Sequence, residues 1–156
     1  MYNKEGFTRE IQNLFKKAKK GESISAILLK TRVFSDKNRI DEKGISVKLD
    51  IETSECMKKL SLNKNAICAK LSDNLFIFVL IGNHSEDFHK KIADRLQNLI
   101  IHSPVYKSAG ETTNILTSGL TIYALNTSLE ELLQTLTDQM NKNMEELSNL
   151  RKLQNF

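Results

Sequence analysis

The sequence predicts an α/β sandwich, in which a central, mostly antiparallel sheet of about five strands carries helices on both faces. Three observations lead there. Apolar residues recur at helical spacing at both ends of the chain, and two short apolar runs flank a polar Ser-Asp-Asn turn near its middle. Between them the elements read in the order α-β-α-β-β-α-β-α. At 156 residues the chain is about one domain long and can close a single core without covalent staples.

Phe7, Ile11, Leu14, Phe15 and Ala18, with Lys and Arg between them, predict an amphipathic helix over residues 3–20, stopped by Gly21. Ser25 to Phe34 reads as a strand opening on the run Ala26-Ile27-Leu28-Leu29. Asp36 to Gly44 is polar and reads as a short helix or a loop. Ile51, Cys56, Met57 and Leu60 indicate a helix over roughly Asp50 to Leu62. Ala66 to Leu71 and Leu75 to Ile81, joined by Ser72-Asp73-Asn74, form a β-hairpin. Phe88, Ile92, Leu96, Leu99 and Ile100 mark a further helix that ends near Ser103-Pro104. Ile115 to Ala124 is a strand containing Gly119. The stripe from Leu129 through Leu133, Leu136, Met140, Met144, Leu147 and Leu150 is a long closing helix with Ser128 as its N-cap. We divide the chain into an N-terminal amphipathic helix within 1–23, of a kind that passes signals, and a domain over 24–156 with an extended closing helix.

Several function classes drop out on composition. Hydrophobic residues make up 40% and charged residues 27%, which is neither a disordered tail nor a membrane protein. The longest apolar runs, Ile24 to Leu29 and Phe76 to Gly82, fall far below the roughly 18 residues of a spanning helix. The first residues carry no apolar stretch of signal-peptide length, so a cytoplasmic setting is expected. Cys56 and Cys68 are too few for a disulfide scaffold; Cys56 reads as a core or half-buried thiol and Cys68 as a buried strand residue. His84, His89 and His102 form no metal-ligand pair and read as solvated surface histidines. There is no G-x-S-x-G elbow. Glycines 6, 21, 44, 82, 110 and 119 stand singly, without a phosphate-binding pattern. Lys16-Lys17-Ala18-Lys19-Lys20 lies among acidic residues without interleaved aromatics, and reads as a charged helix face rather than a nucleic-acid site. The net charge of +4 names no partner.

The hairpin is the distinctive segment. Lys70-Leu71-Ser72-Asp73-Asn74-Leu75-Phe76, followed by Ile77-Phe78-Val79-Leu80, resembles the Arg-x-Gly-Gly-Asp-Glu-Phe hairpin and following strand of GGDEF domains, the diguanylate cyclase family. Leu28 to Phe34 resembles the family's first strand, which ends Asp-x-Asp-x-Phe. Ile115-Leu116-Thr117-Ser118-Gly119-Leu120 is similar to its Thr-x-Ser-x-Gly strand. Leu132-Leu133-Gln134-Thr135-Leu136-Thr137-Asp138-Gln139-Met140 is similar to its closing helix. The resemblance spans roughly Ile24 to Leu150 and implies a nucleotide-cyclase-like GGDEF fold.

The same resemblance implies that the family's chemistry is absent. Its cyclases hold two divalent cations with an acid from the first strand and another from the hairpin, because hard cations want anionic oxygen ligands. Here Lys30 stands at the first-strand metal position. Asn74 keeps only an amide oxygen, Leu75 no acid at all, and Ser72 and Asp73 replace the paired glycines. Phe76 is retained. Glu145 and Asn149 stand where the closing helix carries phosphate-binding cations. Asn63 and Ala66 replace the Arg and Asp of the inhibitory product site. Asn38 alone matches, at the position that reads the guanine edge, and Asp50 is a candidate for the second guanine contact. We therefore expect a degenerate, catalytically inactive GGDEF-like domain. It would serve as a regulatory or protein-interaction module in bacterial cyclic di-GMP-type signalling. The alternatives are a non-catalytic guanine-nucleotide (GTP) sensor and an active enzyme with unconventional residues. No cofactor and no metal are expected. The expected partner is a protein, or a second copy as a dimer, engaged through the terminal helices, with guanine nucleotide as the alternative ligand and neither nucleic acid nor membrane insertion.

Overall fold

The computed structural model describes residues 1–31, 42–61, 66–82, 85–109, 115–123 and 128–154. Helix α1 spans Lys4–Lys17, strand β1 Ser23–Thr31, helix α2 Glu42–Ser61, strands β2 and β3 Ala66–Ser72 and Leu75–Gly82. Helix α3 spans Phe88–Ile101, α4 Pro104–Ala109, β4 Ile115–Tyr123 and α5 Leu129–Gln154. The order of strands across the sheet is β2-β3-β1-β4, every neighbouring pair antiparallel. The described residues thus form four strands rather than the five expected. The chain after Tyr123 is helical from Leu129 through Gln154, so within that span no residues are left for another strand.

Both faces of the sheet are covered, which is why β1 and β3 read as near-continuous apolar runs instead of alternating ones. Ile27 and Leu29 of β1 and Phe76, Phe78 and Leu80 of β3 point into one core. Leu49, Met57 and Leu60 of α2 and Ile92, Leu96 and Ile100 of α3 close that side. Ile24, Ala26 and Leu28 of β1 and Ile77, Val79 and Ile81 of β3 point into the other. Phe7 and Ile11 of α1 and Leu132, Leu136 and Met140 of α5 cover it. Each fully buried Phe stabilises the fold by about 1.5–3 kcal/mol relative to exposure.

Local chemistry sets the helix ends. The Asn3 side chain caps α1 by accepting from the Gly6 N–H at 2.9 Å. Ser128 caps α5 by accepting from the Glu131 N–H at 3.2 Å, as its sequence position implies. Two boundaries differ from expectation. Helix α2 starts at Glu42 rather than near Asp50; in its first two turns the apolar residues Ile45, Val47 and Leu49 fall at every second position, a spacing that does not announce a helix. A short helix, α4, follows the expected stop at Ser103-Pro104, because proline is tolerated in a helix's first turn. It carries Tyr106 into the core beneath α2.

Candidate functional site

The hairpin turn sits beside the end of β1. Asp73 and Asn74 make the turn, and Asn74 takes a left-handed backbone, φ 53°, which Asn tolerates better than most residues. Three bonds fasten it. The Thr31 N–H donates to the Asn74 carbonyl at 3.0 Å. The Asn74 N–H donates to Asp50 Oδ2 at 3.2 Å. Lys70 Nζ lies 3.0 Å from that same oxygen and 3.6 Å from Asp73 Oδ1. The hydrogen bond to Asp50 holds the Lys70 ammonium above its ordinary pKa, against a smaller opposing effect of burial. Asp50 Oδ1 is buried and has no hydrogen-bond partner among the described residues.

One helical turn along from Asp50, Thr53 is wholly buried. Its hydroxyl donates to the Leu49 carbonyl at 2.7 Å and lies 2.8 Å from the Tyr106 hydroxyl. Burial pushes Tyr106 up to about 12, so it is a neutral hydrogen-bonding group and not a base.

Register brings some of the sequence-selected residues together. Lys30 pairs with Leu75 on one side and with Leu116 on the other, so the first-strand and hairpin positions singled out by motif are direct neighbours. Ser72 pairs with Leu75 across the turn, and the Asp73 side chain is 97% exposed. Phe76 is wholly buried in the core that α2 and α3 close. Asn143 Nδ2 donates to the Thr117 carbonyl at 3.0 Å, and Thr117 pairs with Leu29. Helix α5 therefore passes the end of β1 just before Glu145 and Asn149, both exposed. Ala66 lies opposite Leu80, at the far end of the hairpin from the turn. Asn38 and Asn63 lie outside the described residues.

One expectation is corrected. His89 is not a solvated surface histidine: its Nδ1 lies 2.9 Å from Thr121 Oγ1, and a Cβ on Gly119 would come within 2.9 Å of its ring. Its place on the buried flank of α3, over a strand glycine, is a tertiary fact that spacing among histidines does not report. His102 is exposed and bonds to the Asn98 carbonyl; His84 lies outside the described residues. Cys56 and Cys68 are buried free thiols, and burial pushes both up from their ordinary values, which keeps them protonated and unreactive. The ion pair between Asp50 and Lys70 is missed by sequence reasoning. Its signal is an aspartate on the apolar stripe of a helix, between Leu49 and Thr53. Among the described residues no three His, Cys, Asp or Glu side chains gather as a metal site, and no helix is long and apolar enough to cross a membrane.

Two helical layers on an antiparallel sheet, with a tight hairpin beside the end of the central strand, define a GGDEF-like fold. Solved structures agree. A DGC protein from Thermotoga maritima superposes with a TM-score of 0.65 at 18% identity, over 88% of this chain and 94% of that one. A sensory box/GGDEF family protein from Caulobacter crescentus gives 0.69 at 18% identity, over 94% of each chain. The FimX GGDEF domain from Pseudomonas aeruginosa gives 0.59 at 8% identity, over 94% of this chain and 90% of that one. No protein-family profile matches the sequence, and no curated protein matches it.

Proposed function

We propose that this chain is a catalytically inactive GGDEF-like domain that acts as a regulatory or protein-interaction module in cyclic di-GMP-type signalling. The observation that carries the reading is the pairing of Lys30 with Leu75. At the two neighbouring positions where the resemblance implies carboxylates for divalent cations stand a cation and an aliphatic side chain. That donor set does not fit a hard metal ion, which needs anionic oxygens. Glu145 on α5 adds a negative charge where phosphates would need a positive one, so the electrostatic contribution that is usually the largest in catalysis has the wrong sign. The test is incubation of the purified chain with GTP and either magnesium or manganese, followed by chromatography of the nucleotides. No cyclic di-GMP is expected; measurable synthesis overturns the reading.

The interaction role draws on the ends of the chain. Helix α1 buries Phe7 and Ile11 against the sheet, whereas Leu150 and Leu153 of α5 are 56% and 69% exposed. These two leucines extend the apolar stripe beyond the part that packs on the core and are the surface offered to a partner or a second copy.

A second reading, a guanine-nucleotide sensor without turnover, is favoured by one specific feature. Asp50 Oδ1 is a buried acceptor beside the hairpin with no partner among the described residues, and a purine N–H donor would satisfy it. Calorimetric titration with GTP and GDP tests this: saturable binding that Asp50→Asn weakens favours the sensor, and absence of heat leaves the interaction module.

A further inference from the structure

The two edges of the sheet are finished differently. At the β2 edge the chain covers itself: the Tyr2 N–H donates to the Cys68 carbonyl at 3.3 Å, and the Lys70 N–H donates to the Tyr2 carbonyl at 3.1 Å. At the other edge, β4 reads Ile-Leu-Thr-Ser-Gly-Leu-Thr-Ile-Tyr, without a charge or a proline. Edge strands are normally protected by one or the other, since unpaired main-chain groups invite another strand. No described residue pairs with that edge as a strand.

The edge is recessed rather than flat. Helix α3 on one face and α5 on the other stand proud of β4 and enclose a cleft of about 380 Å³ over Thr117, Ser118 and Gly119. Asn143 reaches in from α5 to the Thr117 carbonyl, which shows that Thr117 turns its main chain outward. Every second residue of an antiparallel strand does the same, so Gly119 directs its N–H and C=O groups into the cleft, and Thr121 directs its own out from the same edge just beyond it. Gly119 adds no side chain above them. Lys90 from α3 and Lys142 from α5 flank the cleft. Both are exposed and neither forms an ion pair among the described residues. Glu146 follows Lys142 one turn along α5, toward the Ile115 end of the strand.

We propose that this cleft binds an extended acidic segment of a partner protein, added as a strand to the β4 edge. Its main chain bonds to Gly119 and Thr121, and a carboxylate side chain sits between Lys90 and Lys142. Main-chain bonds supply affinity in this mode, and flanking side chains choose the sequence. Glu146 rejects a second acid at the Ile115 end and accepts a basic or neutral residue there. A second copy of this domain is disfavoured as the occupant, because its own α3 and α5 flank its β4 and would meet these helices.

The probe is a phage-displayed library of random heptapeptides selected on the full chain, with the enriched sequences synthesised. The expected result is an acidic consensus whose binding falls at least about tenfold in the Lys90→Glu/Lys142→Glu variant, and by a smaller factor in Lys142→Gln. Circular dichroism checks that these exposed substitutions leave the fold unchanged. Hydrogen exchange of the Gly119 and Thr121 amides should slow on peptide binding. The proposal is overturned by a selection that enriches nothing, by peptides that bind the double variant equally well, or by binding that leaves those two amides unprotected. Displacement of the peptide by inorganic phosphate would mark a small-anion site and overturn it as well. None of these outcomes depends on the hairpin: synthesis of cyclic di-GMP would end the inactive-domain reading and leave this test as it stands.

Discussion

Asp50 Oδ2 lies 3.0 Å from Lys70 Nζ and 3.2 Å from the Asn74 main-chain nitrogen. A single carboxylate oxygen on α2 thereby holds both the strand leading into the hairpin and the turn itself. The hairpin tip is fixed to the helical layer rather than left to fold back on itself.

Asp50→Ala should therefore loosen the tip. The half-buried Asn74 N–H would lose its acceptor, at a cost of about 0.5–1.5 kcal/mol. Loss of the Lys70 pair adds little, because that ammonium is partly exposed and screened by water. Asp50→Asn keeps an acceptor oxygen and should cost less. Urea denaturation midpoints of the two variants would show this order.

Asn74 should tolerate glycine and reject branched residues. Its φ of 53° costs an ordinary residue about 1–2 kcal/mol, and a β-branched side chain more. Asn74→Gly should leave the thermal midpoint close to its starting value, while Asn74→Val lowers it. Equal midpoints for the two would mean that the turn does not hold this backbone in solution.

Gly119 and His89 should be energetically coupled. A Cβ at Gly119 would stand 2.9 Å from the His89 ring and 3.3 Å from the Ala26 carbonyl oxygen. Gly119→Ala should destabilise by roughly 1–3 kcal/mol, the usual range for overpacking. Combination with His89→Ala should return part of that loss, measurable as a non-zero coupling in a double-mutant cycle.

His89 also makes stability depend on pH. Burial, reinforced by Lys90 and partly opposed by Asp87, holds its imidazole below the usual 6.5. The unfolded chain takes up the proton first as pH falls through 6.5. The stability present above that value is consequently lost as pH falls toward the folded pKa. Denaturation midpoints should drop as pH falls below the usual 6.5 of a free imidazole, and His89→Gln should reduce the drop.

The exposed leucines of α5 should govern association. Replacing Leu150 and Leu153 by Lys should leave the fold intact, since both side chains lie more than half in solvent. The replacement should shift the sedimentation profile toward the monomer if the stripe joins two copies. An unchanged profile with lost binding to a partner would assign the surface to that partner.

Much of the architecture was legible because burial imprints periodicity. The stripe of α5, the apolar runs of β1 and β3 and the Ser-Asp-Asn turn are each local patterns, and each became the element expected. The first turns of α2 were not legible, since Ile45, Val47 and Leu49 alternate with other residues there and lack helical spacing. Nor was α4, where proline reads equally as a stop and as a start. His89 was misread for a related reason: one polar residue at the margin of an apolar helix face, a turn before Ile92 and Ala93, carries no mark of the strand it packs against.

By itself the sequence determined the layers, the hairpin and the identities of Lys30, Leu75 and Glu145, because these follow from local spacing and residue chemistry. Only the tertiary structure decided that Lys30 and Leu75 are neighbours, that Asp50 reaches Lys70 and Asn74, and that β4 lies at a sheet edge with which no described residue pairs as a strand. Those relations depend on strand register and on which strand lies at the edge. Both are set by packing two helical layers onto one sheet, and no local pattern along the chain encodes them.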